Sequence, residues 1–448
     1  MEDIYIKWRL QLKSKQKKRS YRHFDQVLDL DDEKDFRYVV NKLKNIPKHQ
    51  FLPLVKFVKK DIRYRRDKNK KPKRTKKERP IMYASHIDAH IYSFFTYKWA
   101  KKYENFIQQK SIDANVLAYR SKKDNQCGKN NINFAYDVFA HIQSTNGCSV
   151  IIADISKFFD TLNHKVLKNH IAMILGRRLS DEDYKILKSL TKFRYISNDS
   201  SKNKKYSTYA KFISKLTKFL KHNDCSLAQA IYETGRGGII KENNLSVGIP
   251  QGSPLSGLLA NIYMSEFDSE FVNIFPDILY RRYSDDVAIV CATSDVKRVF
   301  SWLNTRIKKY ALSINPSKVF IATFTKENGT LKCSDIIDGN DKKSGRKFID
   351  YLGFEFDGYN VRIRGKTLHN AYRKADKKIK KFQLRQTSGN PRKRPAGFKN
   401  SKKNGNAYIR NANDIMAGIG YGIDSQRAKL SGFIRKRKSS NINKKKLN

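Results

Sequence analysis

The chain has 448 residues and carries 93 Lys and Arg against 42 Asp and Glu, a formal charge of +51. Hydrophobic residues make up 39% of it, enough to bury cores in roughly two to three domains. So large a surplus of cations opposes compaction and calls for a polyanionic partner. No apolar run approaches the roughly 18 residues of a spanning helix, so nucleic acid is expected rather than a membrane.

The first residues, Met1 to Lys18, hold no uninterrupted apolar stretch, so no signal peptide is read and a cytoplasmic location is expected. Cys127, Cys148, Cys225, Cys291 and Cys333 are scattered without a CxxC pair, which argues against a zinc ribbon or a disulfide framework. His86 and His90 share a helical face, but Ile87 stands where a zinc protease carries glutamate. Packing or phosphate contact is the reading there. The loop of a P-loop ATPase is absent.

Phe36, Val39, Val40 and Leu43 recur at helical spacing. From Lys56 to Arg79, fourteen Lys and Arg stand against three acids, interleaved with Phe57 and Tyr64. Such a block is either a solvated linker or an arm that grips phosphate, and the basic balance of the whole chain favours the arm. Pro80 to Phe106 is aromatic-rich and helical. The apolar run in Gly147–Asp160 predicts a buried strand, and Val166, Leu167, Ile171, Ile174 and Leu175 a helix. A lysine-rich region of mixed helical periodicity (Leu179 to Asp224) leads to a Gly-rich segment (Glu233 to Gly257) and a helix (Leu258 to Phe271). Ile278–Ala292 has two apolar halves around an acidic pair, the pattern of a hairpin. Lys297–Leu312 predicts a helix and Phe348–Ile363 a pair of short strands. The order predicts an α+β fold, a split sheet with helices on one face.

Val361 to Asn448 holds twenty-six Lys and Arg against three Asp. Leu368, Ala371, Tyr372, Ala375, Ile379 and Phe382 form the apolar face of a helix whose other face is lysine-rich, and 386–406 reads as a loop. A solvated tail is one reading; a helical lobe holding a duplex backbone accounts better for the amphipathic helix.

Asp154, at a strand end, and Asp285 and Asp286, at a hairpin tip, are the sharpest chemical feature. Three neighbouring carboxylates repel, and folding alone does not favour them in apolar strands. Divalent cations between them would account for their presence, since Mg²⁺ takes one or two carboxylates plus substrate phosphates. An acidic turn without function is the other reading of an isolated Asp-Asp pair.

The pair is not isolated. DISKFFD (Asp154–Asp160), IPQGSPLSGLLANIYM (Ile249–Met264), YSDD (Tyr283–Asp286), SINPSK (Ser313–Lys318) and YLGF (Tyr351–Phe354) follow in that order. Over about residues 79–356 the chain resembles reverse transcriptases of the bacterial type, the group of group II intron, retron and defence-associated enzymes. The resemblance implies a right-hand polymerase of α+β class, with fingers, a palm on a split βαβ sheet, and a basic α-helical thumb. The corresponding boundaries are 1–75 for an N-terminal helical, basic extension, 76–146 for fingers, 147–360 for palm with an inserted segment near 176–246, and 361–448 for thumb and tail.

Residue by residue, the resemblance implies that Asp154, the carbonyl of Ile155, Asp285 and Asp286 hold two Mg²⁺ ions, with Mn²⁺ as a substitute. Ser284 departs from the commoner alanine. Phe159 matches a steric gate that selects deoxynucleotides by leaving no room for a 2′-hydroxyl; a core role is the alternative, since Phe158 sits beside it, and Asp160 also resembles a carboxylate of RNA-dependent RNA polymerases. Gln251 and Gly252 match the nucleotide pocket, Lys318 a proton donor to pyrophosphate, Arg79 and Arg120 contacts to the triphosphate, and Tyr351, Leu352 and Gly353 the primer grip.

The implied reaction copies an RNA template onto a primer with dNTPs. The absence of an intron-type Cys/His endonuclease cluster and of retron signatures leaves the stand-alone defence-associated enzymes, often paired with a structured non-coding RNA, as the expected branch. A template-independent or protein-primed DNA polymerase stays open, as does an inactive RNA-binding scaffold. A homo-oligomer is neither implied nor excluded.

Overall fold

The computed structural model describes residues 2–13, 21, 23–66, 72–124, 127–198, 208–236, 238–338, 343, 345–387 and 416. In chain order, helices α1 (Glu2–Lys13) and α2 (Glu33–Lys44) precede strands β1 (Leu54–Arg66) and β2 (Pro72–Tyr83) and the long helix α3 (His86–Gln109). Two short strands, β3 (Lys123–Asp124) and β4 (Cys127–Gly128), lead to α4 (Asn131–Gln143) and β5 (Gly147–Asp154). Then come α5 (Phe158–Thr161), α6 (His164–Leu175), α7 (Asp181–Thr191), β6 (Arg194–Ser197), α8 (Thr208–His222), α9 (Leu227–Thr234), β7 (Lys241–Glu242) and α10 (Ser256–Ile274). The chain continues through β8 (Leu279–Tyr283), β9 (Asp286–Cys291), α11 (Val296–Lys309), β10 (Phe320–Glu327) and β11 (Thr330–Asp338). It closes on β12 (Ile349–Tyr351), β13 (Phe354–Phe356), β14 (Val361–Ile363) and α12 (Gly365–Thr387). The fold is α+β, as its sequence pattern predicts.

Two compact units interleave along the chain. One comprises Met1–Tyr119, Ser156–Asn273 and Ile307–Leu312; the other comprises Arg120–Ile155, Ile274–Arg306 and Ser313–Asn448.

In the first unit, Tyr92, Phe95, Trp99 and Tyr103 form the buried face of α3, and Leu167 and Ile171 of α6 and Tyr263 and Phe267 of α10 are buried as well. A four-stranded sheet of order β2-β1-β6-β7 lies in the same unit. Within the basic stretch from Lys56 to Arg79, the described residues are strands of the β1–β2 hairpin, paired from Val55↔Tyr83 to Arg66↔Pro72, so the stretch is not an unstructured linker there. The residues Pro80 to Tyr83 complete β2, so the predicted helix begins only at His86, capped by the Ser85 hydroxyl accepting from Asp88 N.

His23 and His86 sit near the start of α3 with Asp25, whose carboxylate accepts from the backbone N–H groups of His86 and Ile87, both at 2.9 Å. Burial, reinforced by the nearby His86, depresses the His23 imidazole to about 3. A histidine that is neutral in the fold binds fewer protons than its unfolded counterpart, so stability is lost as pH falls from about 6.5 toward 3, at up to ~1.4 kcal/mol per unit. Urea titrations of His23→Phe should show a shallower loss between pH 6 and pH 4 than the wild type. Equal slopes would remove His23 as the cause.

In the second unit a five-stranded sheet runs β11-β10-β5-β9-β8, all neighbours antiparallel. The apolar run of β5 is buried along nearly its whole length, as a central strand requires. Ile132, Val138 and Phe139 of α4 pack in one core with Val150 and Ile152 of β5 and Val290 of β9. The hairpin β10–β11 widens this sheet beyond the elements that periodicity predicts. Phe348–Ile363 forms three short strands rather than two, ordered β12-β13-β14. Ala371 and Tyr372 place the apolar side of α12 against this core. The predicted loop beyond Thr387 lies outside the described residues, as do the side chains of Ala375, Ile379 and Phe382.

Candidate active site

The carboxylates converge through strand register in the second unit. Asp154 is the last residue of β5 and Asp286 the first of β9, and the two are paired Cα partners. Tyr283 and Asp286 close the β8–β9 hairpin around a two-residue turn, Ser284-Asp285, with Ser284 at φ 61°. Left-handed backbone at this position belongs to the primed turns that suit hairpin twist. The Asp285 carbonyl accepts from Ile155 N–H at 2.9 Å, which ties the turn to the end of β5. Arg282, fully buried, donates to the Ser284 carbonyl at 3.2 Å. Sequence reasoning missed it; the signal was a charged residue at an inward position of an alternating strand.

Burial raises the Asp285 carboxyl above the ordinary carboxylate range, and the Asp154 charge adds to this. Burial, then the Asp285 and Asp154 charges, push Asp286 up to about 7. The acids are thus close enough to repel. Lys318, in the single turn Pro316–Lys318, answers part of that repulsion: its Nζ is hydrogen-bonded to Asp154 Oδ1. The turn is held in place by Asn315, whose N–H donates to the Asp154 carbonyl at 2.9 Å.

Hard carboxylate oxygens, crowded and costly when charged, suit divalent cations. Among the described residues no group of three His, Cys, Asp or Glu donors encloses an ion by itself. A divalent ion held by these carboxylates would take its remaining ligands from water and substrate phosphate.

Tyr351-Leu352-Gly353 forms the β12–β13 turn, with Leu352 at φ 47° and Gly353 at φ 96°. Arg364 pins it from two sides: its N–H donates to the Gly353 carbonyl at 2.9 Å, and its guanidinium pairs with Asp350. The same guanidinium favours the charged form of Asp286, and the Asp286 charge acts on the buried Tyr351 hydroxyl. The Tyr351–Gly353 turn and the carboxylates therefore share one electrostatic neighbourhood.

The first unit holds a pocket of about 390 Å³ lined by Phe159, Gln251, Gly252, Tyr119 and Gly257 among others. Phe158 is buried in the core, whereas Phe159 lines the pocket, its ring edge-on to Tyr119 at 6.3 Å. Gly252 sits at φ 121°, and a Cβ there would lie 2.5 Å from the Met82 carbonyl oxygen. The Gln251 carbonyl accepts from Met82 N–H at 2.8 Å, which holds the loop against β2. Arg79 lies on β2 opposite Lys59, and neither it nor Arg120 lines the pocket. Tyr119, the neighbour of Arg120, does. Its φ of 59° had no warning in the sequence. In the motif HIDAH, Asp88 accepts from Leu52 N–H at 2.9 Å and bonds His49 Nε2 at 2.7 Å, a structural tie between α3 and the loop before β1.

The protein family described as Reverse transcriptase (RNA-dependent DNA polymerase) matches residues 69–356, well over half of the chain. No curated protein sequence matches. Among solved structures, apo telomerase from Candida tropicalis truncated from its C-terminal domain is 14% identical, with a TM-score of 0.36, 72% of this chain covered and 58% of that one. Telomerase from Candida albicans with a TWJ fragment of telomeric RNA is 12% identical, with a TM-score of 0.40 and coverages of 90% and 65%. The chain thus spans less than two thirds of either telomerase chain. Among the described residues no helix is long and apolar enough to cross a membrane.

Proposed function

This chain belongs to the reverse transcriptase (RNA-dependent DNA polymerase) family, and from that premise we propose that it extends a primer with deoxynucleotides by copying RNA. The observation that carries the proposal is the register that sets Asp154 against Asp286 while the Asp285 carbonyl is tied to Ile155. Divalent ions bound there, two Mg²⁺ by family resemblance, supply a lowered pKa for the attacking 3′-hydroxyl and charge neutralisation at the leaving oxygen. The chain's own part is to hold the carboxylates in place before substrate arrives. Lys318 Nζ donates a hydrogen bond to Asp154 and is the proposed proton donor to pyrophosphate. Tyr351, Leu352 and Gly353 are proposed to support the primer end. Phe159, Gln251 and Gly252 are proposed to receive the nucleotide.

Purified protein with an RNA template, a DNA primer and labelled dNTPs tests the reading. Extension should require both RNA and a divalent ion, and rNTPs should be poor substrates. Equal labelling without RNA, or label joined to the protein, would favour the template-independent or protein-primed alternatives. If Phe159 is the gate, Phe159→Ala should narrow the preference for dNTPs over rNTPs by about 10–100-fold, read as a ratio of kcat/KM values. An unchanged ratio would return Phe159 to a packing role.

The finer reading is a stand-alone cytoplasmic enzyme of anti-phage defence that copies a structured non-coding RNA. The excess of cations supports an RNA partner, since phosphate contacts supply much of such affinity. Cells expressing the wild-type chain together with the RNA that co-purifies with it should plate phage less efficiently than cells expressing Asp285→Asn/Asp286→Asn with the same RNA. Equal plating would reject the defence role and leave the chemistry standing.

A further inference from the structure

A second concave surface lies wholly within the first unit and shares no lining residue with the Phe159–Gln251 pocket. It is a groove of about 900 Å³ walled by the segment before β1, by α7 and β6, and by α9. Lys185, Lys188 and Lys192 enter it from one stripe of α7 and its C-cap, and Arg194 from β6. Spacings of three and four residues put side chains on one helix face. At 1.5 Å per residue the stripe spans about 10 Å, roughly three stacked nucleotides of a single strand.

None of these four cations has a carboxylate partner among the described residues, although Asp181 and Glu242 also line the groove. Two of them are held by neutral oxygens. Lys192 Nζ donates to the carbonyls of Asn244 and Leu245 at 3.2 and 3.0 Å, and Arg194 Nη2 donates to the Phe51 carbonyl at 3.5 Å. Carbonyls fix where a cation sits without cancelling its charge. The groove also exposes two aromatic rings: Tyr184 is 46% and Tyr232 57% exposed, each with a cation over one face, Lys168 at 5.2 Å and Arg236 at 5.4 Å, which leaves the other face for a base.

We propose that this groove docks a single-stranded segment of RNA, the lysine stripe meeting the phosphodiester backbone and Tyr184 and Tyr232 offering faces to unpaired bases. A row of uncompensated cations beside exposed rings is the combination that binds single strands, because paired bases keep their faces covered. An acidic protein segment would use the cations and leave the rings idle. The choice of RNA over DNA rests on the RNA-directed reading above; the groove chemistry does not.

The test uses the full chain and a 12-nucleotide oligo(U) carrying 4-thiouridine. Irradiation should crosslink it at Tyr184 or Tyr232, and crosslinks confined to other regions would overturn the proposal. In fluorescence anisotropy, Lys185→Glu/Lys188→Glu should weaken oligo(U) binding at least ~10-fold at 0.1 M salt and reduce the salt slope by about 1.4. Lys185→Gln/Lys188→Gln should show a smaller loss in the same direction at an unchanged melting temperature, which separates lost charge from misfolding. Tyr232→Ala should weaken oligo(U) about tenfold and leave a 12-base-pair RNA duplex unaffected. Wild-type affinity and slope in the lysine variants would overturn the groove as a site. Equal losses for duplex and single strand would overturn the single-strand assignment, as would tighter binding of a poly-Glu peptide, and tighter binding of oligo(dT) would overturn the choice of RNA. Asp285→Asn/Asp286→Asn should keep full oligo(U) affinity while losing incorporation, so a failed groove and a failed polymerase reading give different results.

Discussion

Asp285→Asn/Asp286→Asn is expected to lose nucleotide incorporation by at least ~10³-fold and yet to melt above the wild type when both are heated in EDTA at pH 8. The loss follows from removing charges that hold divalent ions. The gain follows from the cost of keeping those charges: Asp286 is raised to about 7 by burial and by Asp285 and Asp154. An acid whose folded pKa exceeds its unfolded value binds more protons in the fold, so stability falls as pH rises from about 4 through 7 and the full cost stands at pH 8. That cost is up to roughly 4 kcal/mol, and asparagine removes it. Adding Mg²⁺ or Mn²⁺ should raise the melting temperature of the wild type and leave that of the variant nearly unmoved. A variant that melts lower than the wild type, or responds equally to the metals, would contradict the assignment of these carboxylates.

The second large effect belongs to Gly252. Gly252→Ala puts a methyl 2.5 Å from the Met82 carbonyl oxygen at a φ of 121°. The obstacle is backbone, and Met82 is itself fixed by its N–H bond to the Gln251 carbonyl. Relief therefore requires shifting the loop that carries Gln251, at a cost of roughly 2–4 kcal/mol. Chemical denaturation should show that loss, and dNTP titrations a KM increase exceeding the fall in kcat. Gly238→Ala is the control: φ is 80° but the space around its Cβ is open, so only about 1 kcal/mol is at stake. Similar losses in the two variants would mean that the close approach of Gly252 to β2 is unimportant.

The sequence by itself determined whatever is written in spacing. The periods of α2, α6, α10 and α11, the apolar run of β5, the acidic hairpin tip and the order of five motifs all depend on residues near one another in the chain, where local backbone preference and side-chain alternation act. Tertiary structure decided the rest. The fourteen cations between Lys56 and Arg79 read as an arm that grips phosphate, with no strand assigned, but cross-strand pairing, helped by a Lys60–Glu78 contact of 3.3 Å, makes 55–66 and 72–83 the two strands of a hairpin. The family resemblance implied a nucleotide contact for Arg120, while Tyr119 is the residue that reaches the pocket, because a left-handed φ at Tyr119 has no signature in residue type. Asp154 could be recognised by motif, but its meeting with Asp286 is a matter of strand register, which is set by the burial of whole strands and not by the residues at their ends. The lysines of α7 are unremarkable in a chain of this charge until β6, α9 and the segment before β1 fold around them, where no carboxylate among the described residues pairs with them.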